Sequence, residues 1–126
     1  FDEKVHCFES LGCFKTTFDF FDPLIRAINL SPDTREEINT HYTIYTRKWP
    51  SGAPLTRHNT HTLVNTTYNP NLPTKFIIHG FLDDANSTWI KEMSMGLLTH
   101  GDYNVFTVDW SGGSKVIFYQ AVFNTR

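Results

Sequence analysis

The sequence predicts an α/β fold with an incomplete parallel sheet. Residues 76–78 and 105–108 are short apolar segments with the composition of strands that are buried on both faces. Apolar residues at helical spacing lie between them, so strand, helix and strand follow one another within ~35 residues. A second predicted helix starts near Ser114 and should cover a further parallel strand, which does not occur before Arg126. We therefore expect residues 105–108 to lie at or near an unprotected edge of the sheet.

The first third of the chain is expected to be mostly irregular. Residues 41–46 then alternate in polarity and are rich in β-branched and aromatic residues, which is typical of a half-exposed strand. Residues 49–54 contain two prolines and a glycine and predict a turn. A weaker strand at residues 60–65 is expected to pair with the first one as a hairpin at the edge of the sheet.

The helix between the two buried strands has a recognisable start and end. Asn86 or Ser87 provides its N-terminal cap, and residues 100–102 terminate it. The second helix follows residues 111–113 and runs toward the end of the chain. Apolar residues recur at helical spacing in both helices: Trp89, Ile90, Met93, Leu97 and Leu98 in the first, and Val116, Ile117, Tyr119 and Phe123 in the second.

Composition and charge argue against several classes of protein. The chain has 126 residues, of which 40% are hydrophobic, so it is long enough to form one domain with a sizeable core. Its net charge is −2 and its 11 Lys and Arg residues are scattered, which argues against a nucleic-acid partner. No apolar run approaches the ~20 residues of a transmembrane helix. No signal peptide begins at Phe1, as expected for an intracellular protein or for a mature one that has lost its leader.

The cysteines and asparagines indicate in which cellular compartment the protein is found. Cys7 and Cys13 are near enough to close a local disulfide worth roughly 2 kcal/mol, although two free thiols would have the same spacing. Asn29, Asn65 and Asn86 each begin an N-x-[ST] acceptor for N-linked glycosylation. Together these features favour a secreted, extracellular protein. No metal site is predicted, because the one close pair of histidines has no third ligand nearby.

The most informative segment is the end of the first buried strand. The strand-like composition of residues 74–78 ends abruptly at His79-Gly80-Phe81. An acidic stretch that starts a helix follows. A parallel strand ends at the carboxyl edge of its sheet, where the turn into a helix leaves backbone N–H groups unpaired and pointing outward. Such N–H groups can form an oxyanion hole. An oxyanion hole of this kind serves acyl transfer only with a G-x-S-x-G nucleophile elbow, and none occurs before Arg126.

In order and spacing, the motifs of this chain resemble the amino-terminal part of the secreted lipases of the pancreatic triacylglycerol lipase family. They comprise residues 7–14, 31–33, 42–46, 76–81 and 108–110, with Asp83, Trp89, Gly113, Ser114, Gln120, Ala121, Asn124 and Arg126. The resemblance covers nearly the whole chain. It implies an α/β-hydrolase fold, of which residues 1–126 are the amino-terminal portion, truncated before the nucleophile elbow.

The resemblance also implies roles for individual residues. It implies a disulfide between Cys7 and Cys13, and an oxyanion hole to which Phe81 contributes its backbone N–H. The second N–H would come from the residue after the serine. Phe81 and Phe118, where the family usually has a tyrosine, would line the region that binds the acyl chain. The calcium site of the family would lie beyond Arg126, so no cofactor is expected in this chain.

Four residues are expected to support this loop structurally: His79, Gly80, Asp83 and Asp109. His79 ends a strand, where a histidine more often holds a loop by hydrogen bonding than acts as a general base. Gly80 is expected either because another backbone approaches closely or because its dihedral angles exclude a side chain. Asp83 lies near a helix amino terminus, where negative charge is favourable. Asp109 has no following histidine with which to form a triad.

The leading interpretation is a secreted lipase that hydrolyses ester bonds of glycerolipids, chiefly triacylglycerol, through a serine beyond Arg126. The expected partners are the lipid–water interface and the carboxyl-terminal part of the protein, and the 126 residues alone are expected to be inactive. Phospholipase A1 of the same family is one alternative, and a non-catalytic lipid-binding or yolk protein that has lost the serine is another. A further possibility is a natural short chain paired with a separate carboxyl-terminal chain.

Overall fold

The computed structural model describes residues 3–24 and 27–126. The strands are β1 (Val5–Phe8), β2 (Gly12–Lys15), β3 (His41–Thr46), β4 (Trp49–Leu55), β5 (Thr74–Ile78) and β6 (Asn104–Asp109). The helices are α1 (Arg35–Ile38), α2 (His61–Val64), α3 (Thr88–His100), α4 (Ser111–Ser114) and α5 (Phe118–Asn124), with a 3₁₀ turn at Phe18–Phe20. Four strands form a mixed sheet in the order β4-β3-β6-β5, in which β5 and β6 are parallel. A mixed sheet with helices agrees with the predicted α/β class.

Helix α3 joins β5 to β6, as the sequence predicts. Its N-cap residue is Ser87. Ile90 and Leu98 face the sheet, where they pack against Ile77 and Val105, and each of these four side chains is at most 4% exposed. Because burying an aliphatic side chain of this size contributes ~1.5–3 kcal/mol, this cluster fixes the helix on the parallel pair of strands.

The hairpin partner of β3 differs from the prediction. Residues 49–55 form β4 and not a turn, and part of the predicted second strand forms the short helix α2 instead. Gly52 permits this, because its φ of 83° lies in the left-handed region, and the register of the pair shifts between Ile44 and Thr46. The two prolines of β4 are tolerated because it is an edge strand, in which some N–H groups are not needed for pairing.

Strand β6 lies near an edge of the sheet, as predicted, but it is not the edge strand itself. The reason is that β3 pairs with β6 on the side away from β5. One edge strand is therefore β5, and it is buried on one face only. Ile77 is 4% exposed, whereas Phe76 and Ile78 are each 60% exposed. The prediction that both faces of this strand are covered was wrong for the described part of the chain, where the face with Phe76 and Ile78 is largely open.

The amino-terminal segment is more regular than predicted. β1 and β2 form an antiparallel hairpin in which Cys7 lies opposite Cys13, and the two cysteines form a disulfide bond. Gly12 shapes the turn with a φ of 83°. Further on, α1 begins with reciprocal hydrogen bonds between Thr34 and Glu37 that satisfy its first N–H groups. Local pairing and capping thus order a segment that carries little hydrophobic periodicity.

The predicted second helix is split into α4 and α5. The Ser114 carbonyl accepts a hydrogen bond from the Leu82 N–H at 3.2 Å, instead of one from the residue four positions later in the chain. Ile117 is extended, with a ψ of 144°, and α5 begins after it. Near the end of α5, Asn124 accepts from the Asp33 N–H and donates to the Asp33 carboxylate, both at 2.8 Å. These two bonds tie α5 to the segment before α1.

Candidate functional site

The candidate site lies where β5 and β6 end at the same edge of the sheet. Ile78 lies opposite Val108 in the parallel pairing, so the segments that follow the two strands start side by side. The 79–84 loop follows β5, and residues 110–115 follow β6. The two segments are linked by hydrogen bonds and by an ion pair.

His79 fixes the two strand ends to each other and is only 2% exposed. Its Nδ1 lies 3.0 Å from the Gly80 carbonyl oxygen, and its Nε2 lies 3.0 Å from the Trp110 backbone nitrogen. A neutral imidazole protonated on Nδ1 satisfies both contacts, because Nδ1 then donates and Nε2 accepts. The Trp110 indole also donates to the His79 carbonyl at 2.7 Å, and the two rings stack. Neither ring nitrogen is then free to take a proton from a nucleophile.

Asp109 shapes the turn that leads into α4. Its Oδ1 accepts a hydrogen bond from the Ser111 N–H at 2.9 Å and lies 3.2 Å from Nε2 of His79. With neutral His79 protonated on Nδ1, the second contact joins two acceptors, so Ser111 holds the carboxylate. Burial raises the pKa of Asp109, but hydrogen bonds, chiefly from Ser111, outweigh it and leave the pKa below its ordinary value. Asp109 is therefore an ionised carboxylate at neutral pH.

The Asp83 carboxylate connects the 79–84 loop to the start of α3. One oxygen accepts from the Asp84 N–H at 2.9 Å and from the Ser87 hydroxyl, and the other accepts from the Trp89 indole at 2.6 Å. These donors, with Ser87 contributing most, lower the pKa of Asp83 to about 2. The ionised Asp83 carboxylate also interacts favourably with the positive, amino-terminal end of the α3 dipole.

Gly80 has neither of the two properties expected of it. A Cβ added at this position meets no described atom within 4 Å, and Gly80 is not among the residues with positive φ. The unusual backbone is instead at Leu82, which has a φ of 62° although it is not a glycine. Its N–H bond to the Ser114 carbonyl stabilises this conformation, and the Ser114 hydroxyl donates to the Asp83 carbonyl at 3.3 Å.

Lys115 adds an ion pair with Asp84 between the same two segments. The hydrogen bond between them lowers the pKa of Asp84 and raises that of Lys115. Both side chains are partly exposed, so the ion pair contributes little to the stability of the fold. Its main effect is to hold the loop next to the segment after β6. Trp110 and Ser114 belong to the motifs of the resemblance, but the sequence suggested no role at this site for them or for Lys115. Their position directly after a second parallel strand, at the same sheet edge, is the signal that could have found them.

Phe81 differs from the three residues that follow it because its backbone N–H donates no hydrogen bond to any described residue. The N–H groups of Leu82, Asp83 and Asp84 all have acceptors. The Phe81 side chain is 41% exposed, and its ring meets Phe118 edge-on with 5.3 Å between centroids. The structure therefore brings the two predicted substrate-binding residues together, beside a free backbone donor.

This arrangement can stabilise a developing negative charge next to an apolar group. A free N–H on a loop that is already fixed needs little reorganisation to bind an anion. The described residues include no group of three or more His, Cys, Asp or Glu side chains that could hold a metal ion. The helices in residues 3–24 and 27–126 are all too short or too polar to cross a membrane.

The family model described as Lipase matches residues 4–126. The chain belongs to the Lipase family. This confirms the resemblance to that family. Within the Lipase family, the chain is 32% identical over 120 residues to the pancreatic triacylglycerol lipase of Mus musculus, which is 95% of this chain and 26% of that protein.

Two further relatives in the Lipase family differ in what their names say about activity. The chain is 34% identical to pancreatic lipase-related protein 2 of Homo sapiens, over 98% of this chain and 26% of that protein. It is 32% identical to inactive pancreatic lipase-related protein 1 of Homo sapiens, over 98% of this chain and 27% of that protein. The chain therefore spans about a quarter of the length of the curated relatives that it matches.

Proposed function

We propose that the full-length protein is a secreted lipase that hydrolyses the carboxylic esters of glycerolipids, with triacylglycerol as its substrate. Residues 1–126 are then the amino-terminal portion of its α/β-hydrolase domain, and the nucleophilic serine lies outside them. The free N–H of Phe81 beside the exposed rings of Phe81 and Phe118 carries this proposal, because the N–H groups of the next three residues of the loop have acceptors. Membership of the Lipase family and the pancreatic triacylglycerol lipases among its relatives support the substrate class.

In the proposed reaction, the serine hydroxyl attacks the ester carbonyl and the carbonyl oxygen becomes an oxyanion. The Phe81 N–H donates one hydrogen bond to this oxyanion, and the residue after the serine donates the other. Collapse of the tetrahedral intermediate expels the glyceride alcohol and leaves an acyl-serine, which water hydrolyses to the fatty acid. A single donor of this kind contributes ~2.7–4 kcal/mol to transition-state stabilisation.

Two exposed aromatic rings support an acyl chain as the group that is recognised. Phe81 and Phe118 present apolar surface beside the donor. Neither ring carries a polar group, so contact with a hydrocarbon chain leaves no hydrogen-bonding group unsatisfied. A phospholipid would present the same ester and acyl chain, so phospholipase A1 activity is the alternative that substrate assays must separate.

Replacement of the Phe81 backbone amide by an ester tests the donor directly. The α-hydroxy analogue of phenylalanine, incorporated at position 81 of the full-length protein, removes the N–H and keeps the side chain. We expect kcat on emulsified triacylglycerol to fall about 100- to 1000-fold with little change in KM. The substitution Phe81→Leu keeps the N–H and removes the ring contact with Phe118, and we expect it to change acyl-chain preference more than kcat.

The matched control is the same amide-to-ester exchange at Tyr119. This residue is also aromatic and lies in the first turn of α5, where N–H groups have no intrahelical acceptor. We expect this variant to retain the wild-type kcat. Equal losses at positions 81 and 119, or no loss at position 81, would show that the Phe81 N–H does not bind the oxyanion.

A non-catalytic lipid-binding protein is the second candidate function. It is favoured by one observation, which is 32% identity to a relative named inactive over 98% of this chain. A fluorophosphonate probe separates the two candidates, because it labels only an activated serine. We expect labelling of the full-length protein at a serine in a G-x-S-x-G segment and none of the isolated 126-residue chain. An unlabelled, folded full-length protein that still binds lipid would support the second candidate.

A further inference from the structure

The asparagines of the three N-x-[ST] acceptors differ in how the fold uses their side chains. An N-linked glycan is attached to the side-chain nitrogen Nδ2 and is bulky, so a glycosylated asparagine must present this atom at the surface. Asn65 and Asn86 are exposed, whereas Asn29 is half-buried. Exposure and hydrogen bonding of the three amides therefore decide which acceptors are compatible with a glycan.

Asn65 is available for modification. It directly follows α2, and its backbone N–H donates to the His61 carbonyl at 3.0 Å. Its side-chain amide makes no hydrogen bond to any other residue in the described ranges. Thr67, the hydroxyl residue of this acceptor, bonds to Thr46 at the end of β3. A sugar on Asn65 would therefore displace no contact that its side chain makes in the fold.

Asn86 is available in the same way. It lies just before the N-cap residue of α3, and its backbone N–H donates to an Asp84 carboxylate oxygen at 2.9 Å. Its side chain is exposed and has no hydrogen-bond partner in the part of the chain that the structure describes. The backbone alone holds Asn86 in place, so the amide is free to carry a substituent.

The Asn29 side chain, in contrast, is part of the fold. Its Nδ2 donates to the Thr17 carbonyl at 3.1 Å and so ties two separate segments together. Its Oδ1 is shielded from solvent and has no partner among the described residues. A sugar on Nδ2 would have to occupy the space next to this enclosed amide and would weaken its bond to Thr17.

We propose that Asn65 and Asn86 carry N-linked glycans in the mature protein and that Asn29 does not. The proposal rests on the secretory route proposed above and not on hydrolytic activity. The two glycans lie at opposite ends of the sheet. Thr46, which contacts the Asn65 acceptor, follows Tyr45, and Tyr45 pairs with Val105 near the start of β6. Asn86 lies at the edge of the sheet where β5 and β6 end, two residues after the 79–84 loop.

The test is a map of occupied sites on the full-length protein, expressed in eukaryotic cells behind a heterologous signal peptide. The protein is purified from the medium and from the microsomal lumen and treated with peptide-N-glycosidase F in heavy-oxygen water. This treatment converts each glycosylated asparagine to a heavy-labelled aspartate, which peptide mass spectrometry locates. We expect the label at positions 65 and 86 and unmodified asparagine at position 29.

Variants that remove one acceptor each provide the controls. Asn65→Gln, and either Asn86→Gln or Thr88→Ala, should each lower the mass of the intact protein by one glycan. Ser31→Ala removes the third acceptor without changing Asn29, and it should leave the mass distribution of the glycans unchanged. It also keeps the Ser31 carbonyl, which accepts a hydrogen bond from Gln120.

Label at position 29, or unlabelled asparagine at position 65 or 86, would overturn the proposal. The map requires no substrate, so an inactive protein with glycans at positions 65 and 86 would contradict the proposed function alone. Conversely, an active lipase that lacks either glycan would contradict this inference alone.

Discussion

The Asp83 carboxylate illustrates how a single side chain orders the 79–84 loop. Three donors, from Asp84, Ser87 and Trp89, all stabilise its ionised form. Because folding lowers its pKa from 3.8 to about 2, Asp83 stabilises the folded protein at pH values above 3.8. This contribution is lost as the pH falls through about 2.

The Trp89 indole reports this ionisation, because its N–H donates directly to the carboxylate. In the full-length protein with isotope-labelled tryptophan, we expect the Trp89 indole N–H resonance to stay at its neutral-pH position at pH 3.8, where an ordinary aspartate is half protonated. It should move only at lower pH. Asp83→Asn should shift the resonance at every pH and abolish this titration. A wild-type midpoint near 3.8 would mean that the three donors do not hold the carboxylate in solution.

At the scale of elements, Gly52 decides whether β4 can form. It has a φ of 83°, and a Cβ added to it would lie 2.5 Å from the ring of Tyr45, which packs against the core under α3. Gly12 has the same φ of 83°, but an added Cβ would meet nothing within 4 Å. The two glycines therefore separate the cost of the backbone conformation from the cost of a clash.

We expect Gly12→Ala to lower the free energy of unfolding by ~1–2 kcal/mol, which is the penalty for a left-handed residue with a side chain. Gly52→Ala should cost the same amount and a further ~1–3 kcal/mol for overpacking against Tyr45. Chemical denaturation of the two full-length variants would measure both values. Equal destabilisation would indicate that Tyr45 moves aside freely.

The elements that the sequence predicts well are those whose signals are local. Ile90 and Leu98 recur at helical spacing after two possible cap residues, Asn86 and Ser87, so α3 could be predicted with its start known to within one residue. β4 could not, because prolines and a glycine are the usual residues of turns, and only pairing with β3 makes them a strand. The split between α4 and α5 also depends on a distant residue, since Leu82 captures the Ser114 carbonyl.

The same distinction applies to the site. The residues of the His79-Gly80-Phe81 motif are contiguous, and the strand before them and the helix after them could both be predicted from neighbouring residues. The ion pair between Asp84 and Lys115 joins residues 31 positions apart and has no local signature. The expected reasons for Gly80 also failed, because the strain in this loop lies at Leu82.

At the scale of the whole molecule, β5 is an edge strand with exposed apolar side chains. Phe76 and Ile78 are each 60% exposed, and β5 pairs only with β6 among the described strands. Such an edge can pair with the same edge of another molecule. We therefore expect the 126-residue chain, produced alone, to self-associate through β5.

Phe76→Lys should reduce this association, because a charge on an edge strand opposes pairing. The control is Val64→Lys, which makes the same kind of change at a residue of α2 that is 77% exposed. Sedimentation velocity over a range of concentrations would compare both variants with the parent chain. Similar association of the two variants would exclude β5 as the contact surface.

The contacts of the 79–84 loop also have a consequence for the order of events during synthesis. Its partners after β6 are Trp110, Ser114, Lys115 and Phe118, all within 40 residues of the loop. Because proteins emerge from the ribosome amino terminus first, the loop and these partners can come together before later segments have emerged. If the protein has the nucleophile proposed above, that residue would then arrive at a donor that is already in position.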